Sequence, residues 1–144
     1  MFNLSVDERI SAWATLRQQL ETAENPLQTV WDFWAGCPFV PYNHQIDPYY
    51  QRSWPTPWEI IAENKYDDFT KALMIGYSLK YTDRYRDSRV ELRVLLDNEH
   101  NRQYNIVCVE DSCAINYNDN GPVSLEKVPE SFLLENLTEL NVPR

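Results

Sequence analysis

A chain of 144 residues with 43% hydrophobic and 13% aromatic content can bury one substantial core, which excludes a disordered composition. Its 13 Lys and Arg against 22 Asp and Glu leave a net charge of −9, which speaks against direct nucleic-acid binding because the phosphate backbone would be repelled. Only three glycines occur, so the phosphate-cradling loops GxxxxGK[ST] and GxGxxG are absent, and no apolar run reaches the length of a membrane span.

Taken in order, Ser5-Val6-Asp7-Glu8 is a capping box that opens a first helix running to about Ala23. Val6, Ile10, Trp13, Leu16 and Leu20 form its apolar stripe, with Arg9, Arg17, Gln18 and Glu21 on the other side. Asn25-Pro26 restarts a helix by cap-then-proline logic, Leu27, Val30, Trp31 and Trp34 share a face, and Gly36 is the natural stop. Residues 37 to 53 carry no period and are rich in proline and tyrosine. They fit either a lid packed over the core or a loop presenting aromatic side chains to a partner.

Pro55 and Pro57 fix the next segment. Thr56 caps a helix with Pro57 at its first position and Glu59 closing a second capping box. Trp54 and Trp58 bracket this start, and Trp58 is expected to pack beneath the helix that follows. That helix is capped by Asp67 or Asp68, with Phe69, Ala72, Leu73, Gly76 and Tyr77 at helical spacing and Met74, Ile75 and Leu79 on the other side. A helix apolar nearly all round is a buried central one. Gly76 costs roughly 1 kcal/mol against alanine there, which points to close approach of another backbone.

From Val90 the period changes to two. Val90, Leu92, Val94 and Leu96 alternate with Arg89, Glu91, Arg93, Leu95 and Asp97; a turn over 97–101 leads to Tyr104, Ile106 and Cys108, and Glu110-Asp111-Ser112 turns into Cys113–Tyr117. This is a three-stranded antiparallel β-meander. Residues 123–128 are ambiguous, Ser131 to Leu137 reads as a last short helix, and the tail to Arg144 is expected to be loose or draped on a partner. The fold class is α+β: N-terminal helices and a buried central helix packed on the meander, in a single domain over 1–144.

Three cysteines without a CxxC, and only His44 and His100 beside them, do not make a zinc site, so Cys37, Cys108 and Cys113 read as reduced structural thiols. The carboxylates Asp67/Asp68, Glu110/Asp111 and Asp119 fit helix caps and solvated turns better than acid–base or metal work. No catalytic residue, metal ligand or cofactor is assigned. The N-terminus lacks a signal-peptide pattern, so a cytoplasmic location is expected.

A buried helix followed by an antiparallel meander resembles, in element order, the transglutaminase-like cysteine enzymes. In that family a Cys opens the helix, a His comes from the next strands and an Asp or Asn follows. Here the helix start carries Tyr66, Asp67, Asp68 and Phe69, the second strand carries Asn105, and Asn116 is the one acceptable orienting residue. The resemblance therefore implies a catalytically dead version. The run Asp47-Pro48-Tyr49 leading to Ser53-Trp54-Pro55-Thr56-Pro57-Trp58-Glu59, with Tyr81-Thr82-Asp83-Arg84-Tyr85 later, resembles small proteins of large tailed bacteriophages over residues 30 to 120. It implies a non-enzymatic structural protein of the virion, tail or neck, or an assembly factor, acting through contacts with phage proteins or a host factor, in the host cytoplasm or built into the virion. Tyr49, Tyr50, Arg52 and Trp54 are the expected interface residues. The alternatives are a transglutaminase-like cysteine hydrolase or transferase, and an acidic phage inhibitor of a host protein.

Overall fold

The computed structural model describes residues 1–43 and 45–143; His44 and Arg144, and what the sequence suggests for them, lie outside the described residues. The chain is α+β. Four helices come first: α1 (Val6–Thr22), α2 (Pro26–Trp34), α3 (Pro57–Glu63) and α4 (Asp68–Lys80). Strands follow: β1 (Val90–Asp97), β2 (Arg102–Val109), β3 (Cys113–Ile115), β4 (Val123–Ser124) and β5 (Leu133–Glu139). The helix starts form as the sequence dictates. Ser5 and Thr56 both make complete capping boxes, with Glu8 and Glu59 reaching back.

α4 is the centre. Its residues are buried on nearly every side, against α1 and α2 on one flank and against Val90, Leu92, Val107, Val109 and Ile115 of the sheet on the other. Arg9, expected on the polar side of α1, is buried instead. Its guanidinium donates to Ile61 O and Ala62 O at 3.1 Å each and to Leu4 O at 2.6 Å. It thus satisfies the loose carbonyls at the end of α3. At Gly76 the close neighbours are side chains rather than backbone: an added Cβ would lie 2.5 Å from Leu140 Cδ1 and 3.3 Å from Leu92 Cδ2.

The three-stranded meander is the middle of a larger sheet. The order is β4-β3-β2-β1-β5, with every pair antiparallel. The expected helix over 131–137 is an edge strand, β5, paired along β1. The free edge of β1 explains the correction, because Leu133–Glu139 hydrogen-bonds along it. β4 and β5 lie four strand spacings apart, roughly 19 Å. The connecting residues 125–132 would cover only about 12 Å as a helix, but up to about 26 Å extended. The connection therefore crosses the outer face of the sheet, where Leu125, Val128 and Phe132 pack on Leu95, Ile106, Cys108 and Ala114. The tail is also more fixed than expected: Leu140 is buried and its N–H donates to Val90 O at 2.8 Å.

Trp58 is not beneath α4. It is 38% exposed and meets the edges of Trp13 and Tyr81 at ring distances of 5.6 and 5.3 Å. The buried face of α3 is Pro57, Ile60 and Ile61. Trp58→Ala should therefore cost only about 2 kcal/mol, below the roughly 3–5 kcal/mol of a fully buried tryptophan. Chemical denaturation of the variant measures this, and a loss of about 3–5 kcal/mol would mean that Trp58 is core.

Candidate functional site

Two places gather the residues that the sequence singles out. The first is the polar corner where α4 begins. Asp67 is the helix cap, its Oδ1 accepting from the Thr70 N–H at 2.7 Å and the Thr70 hydroxyl at 2.6 Å. That geometry turns Asp68, at the first helical position, toward the sheet. Asn105 of β2 donates from Nδ2 to Asp68 Oδ2 at 2.9 Å. Asn116, just past β3, donates to Asp68 Oδ1 at 3.2 Å and to Asn105 O at 2.8 Å. Both asparagines are buried, and Asn116 holds φ at 71°, a left-handed conformation that asparagine tolerates better than most residues. The trio borders a cavity of about 440 Å³ whose wall also includes Lys71, Arg102 and Tyr104.

The helix start, the second strand and the end of the third thus meet at one point, in hydrogen-bond contact. Their chemistry is limited. Carboxamides neither take up nor release a proton near neutral pH, so Asp68 has no acid–base partner among them. The Lys71 ammonium lies over the Trp31 ring at 5.0 Å. Asp119 also lines the cavity, whereas Glu91, Glu110 and Asp111 are in structural use. Asp111 pairs with Arg93 at 2.6 Å, Arg93 pairs with Glu91 at 2.7 Å, and Glu110 accepts the Arg89 N–H at 3.0 Å. Among the described residues no three His, Cys, Asp or Glu side chains converge as metal ligands would.

Cys108 is buried on the outer sheet face, and Cys37 and Cys113 are half-buried. Burial pushes the Cys37 and Cys108 thiols up to about 11 from 9.0; Lys71 opposes this for Cys37 and Arg93 for Cys108. A rise of this size cuts the thiolate fraction at neutral pH by about 100-fold. Iodoacetamide should therefore modify both slowly in the native protein, with a rate climbing as pH rises toward 11. Their contribution to stability, fully present below pH 9, should fall away between 9 and 11, where the unfolded thiols ionise first. Rapid labelling of Cys37 at pH 7 in the folded chain would contradict this.

The second place is the loop over residues 47–54. It ties itself together. The Tyr49 N–H donates to Asp47 Oδ1 at 2.9 Å, the Asp47 N–H to Ser53 Oγ at 2.9 Å, and the Ser53 hydroxyl to Tyr50 O at 2.7 Å. Trp54 is turned inward, its Nε1 donating to Asp47 O at 2.8 Å and its ring 5.2 Å from Phe69. Tyr49, Tyr50 and Arg52 face solvent on this frame, so they are presented with little freedom to lose. Asn136 of β5 donates from Nδ2 to Pro48 O at 3.1 Å. Burial, then Glu135, then Asp47 hold the Tyr49 phenol above its ordinary range. The loop therefore adjoins the face of β5 that carries Asn136. β5 adds Leu133, Leu134 and Leu137, exposed by 53%, 52% and 42%. Sequence reasoning missed β5 because Leu133, Leu134 and Leu137 are spaced as on one face of a helix.

No family model matches this sequence, and no curated protein matches it significantly. No helix among the described residues is long and apolar enough to cross a membrane.

Proposed function

We propose that the chain is a non-enzymatic structural or assembly protein of a bacteriophage that works through protein–protein contacts. The observation that carries this is the pair of exposed tyrosines, Tyr49 and Tyr50, on a self-tied loop that docks on β5 beside the exposed Leu133. Exposed tyrosines on a rigid loop beside apolar side chains are the composition of interface anchors. The Asp68–Asn105–Asn116 corner supports a second, compatible reading: a scaffold of transglutaminase-like element order in which a carboxylate and two carboxamides occupy the place of a nucleophile and its base.

Mass spectrometry of purified particles tests the reading. Stoichiometric presence of the chain supports it. Complete absence favours the acidic inhibitor of a host protein. Tyr49→Ala and Tyr50→Ala should each lower incorporation by about tenfold or more. Stability should move by no more than about 0.5 kcal/mol, as for other exposed positions. Equal incorporation of wild type and both variants would remove the loop from the interface.

A further inference from the structure

β5 is the terminal strand of the sheet on its side, with β1 as its one neighbour in the ladder. The Leu140 N–H donates to Val90 O, and hydrogen bonding alternates along an antiparallel pair. The amides and carbonyls of Leu137 and Glu139 therefore point away from β1, toward open solvent. Proteins blunt such edges with short strands, lysines or prolines. β5 runs over seven residues and carries neither, although a bulge at Glu135 shifts its register between Leu134 and Asn136.

The side chains give this edge two flanks. Residues opposite one another across a ladder share a face. Leu134 faces out beside Leu95, and Leu137 beside Arg93, so both leucines lie on the outer face of the sheet. Asn136 and Thr138 lie on the opposite face, where Pro48, Tyr49 and Glu135 adjoin them. Glu139, opposite Glu91, shares the outer face with the two leucines, and Leu133, opposite Leu96, shares the other face with Asn136, so each flank mixes an exposed leucine with a glutamate beside it. The charges of the strand are Glu135 and Glu139, with Glu130 leading into it and no basic residue between 128 and 143. The nearest cation in the sheet, Arg93, is already held by Glu91 and Asp111.

We propose that the β5 edge receives an extended segment of a partner protein as a sixth strand, one that combines apolar residues with several lysines or arginines. The apolar ones lie beside Leu134 and Leu137. Basic ones lie beside Glu139 on the outer flank, and beside Glu135 and the Tyr49 ring, which can hold a cation over its face, on the other. Main-chain bonds to Leu137 and Glu139 supply affinity, and the glutamates supply selectivity for a basic segment. A second copy of this chain fits less well, because it would set four glutamates along one seam and bring −9 against −9. This proposal rests on the protein-contact reading and specifies its partner.

Amide hydrogen exchange of the full chain, with the peptide Lys-Val-Lys-Val-Lys-Val-Lys as probe, tests it. In the free protein the Leu137 and Glu139 amides should exchange fast, and Asn136 and Thr138 slowly. Saturating peptide should slow Leu137 and Glu139 by about tenfold or more, and added salt should weaken the effect. Glu-Val-Glu-Val-Glu-Val-Glu should leave both amides unchanged. Leu137→Pro removes an outward N–H at an edge position that tolerates proline, so it should abolish the protection of Glu139, whereas Leu137→Ala should keep it. Equal protection by the two peptides would refute the basic partner. Protection of β5 in the free chain at high concentration, with a dimer in sedimentation, would assign the edge to a second copy. Shifts at Tyr49 and Tyr50 with Leu137 and Glu139 still exchanging freely would refute strand addition and leave the contact reading intact; that reading falls separately, on the particle measurement.

Discussion

Ser78→Ala should be among the most damaging single substitutions in this protein, with a loss of about 2–6 kcal/mol against a typical total of about 5–15 kcal/mol. The hydroxyl joins three helices at the centre of the core. Trp13 Nε1 of α1 and Trp34 Nε1 of α2 donate to Ser78 Oγ at 2.8 and 3.0 Å, and the hydroxyl donates to Met74 O at 2.6 Å. A hydroxyl offers one donor and two acceptor sites, and all three are used here. Trp13, Trp34 and Ser78 are fully buried, so alanine would strand two indole N–H groups without water to replace the lost acceptor. The loss of volume is small, and the effect comes from the orphaned donors. Denaturant unfolding of Ser78→Ala, alone and in a Trp34→Phe background, separates the two causes. In that background one orphan is gone already, so the further cost of Ser78→Ala should be about half. An unchanged cost would mean that the hydroxyl is not what links the tryptophans.

The contrast between Ser78 and the helix caps shows what a sequence makes legible. Ser5, Thr56 and Asp67 act on backbone N–H groups three residues away, so their roles follow from local spacing. Ser78 interrupts an apolar helix in sequence and finds its partners 44 and 65 residues away. The strands divide in the same way. β1 and β2 alternate cleanly because one face meets α4, whereas in β5 the Glu135 bulge puts Leu134 and Leu137 on one face despite their odd separation. Their spacing then imitates a helix, and the pairing with β1, distant in sequence, decides against it. Trp58 fails for a third reason: α3 spans two turns, and its first buried contact is made by Pro57. Element order alone points to Asp68, Asn105 and Asn116, but the bonds among them depend on the register that sets β2 against α4.

That corner carries the second large effect. Asp68→Ala should destabilise the chain by about 2–4 kcal/mol, because hydrogen bonds to a charged group contribute about 1.5–3 kcal/mol each and two buried carboxamides lose their acceptor together. Asp68→Asn should fall between alanine and wild type: one oxygen can still accept, while the new amino group meets another donor. Asn116 separates side chain from backbone. Glycine adopts φ near 71° freely, so Asn116→Gly measures the lost amide, and Asn116→Ala should cost about 1 kcal/mol more for the left-handed backbone. In a double-mutant cycle Asp68→Ala and Asn116→Gly should couple by about 1 kcal/mol or more, since each removes the partner of the other. These outcomes describe a carboxylate that fastens the start of α4 to the sheet. A carboxylate kept for acid–base chemistry would behave differently. Asp68→Asn would leave unfolding unchanged and abolish an activity, and that result would return the corner to the enzymes that its element order resembles.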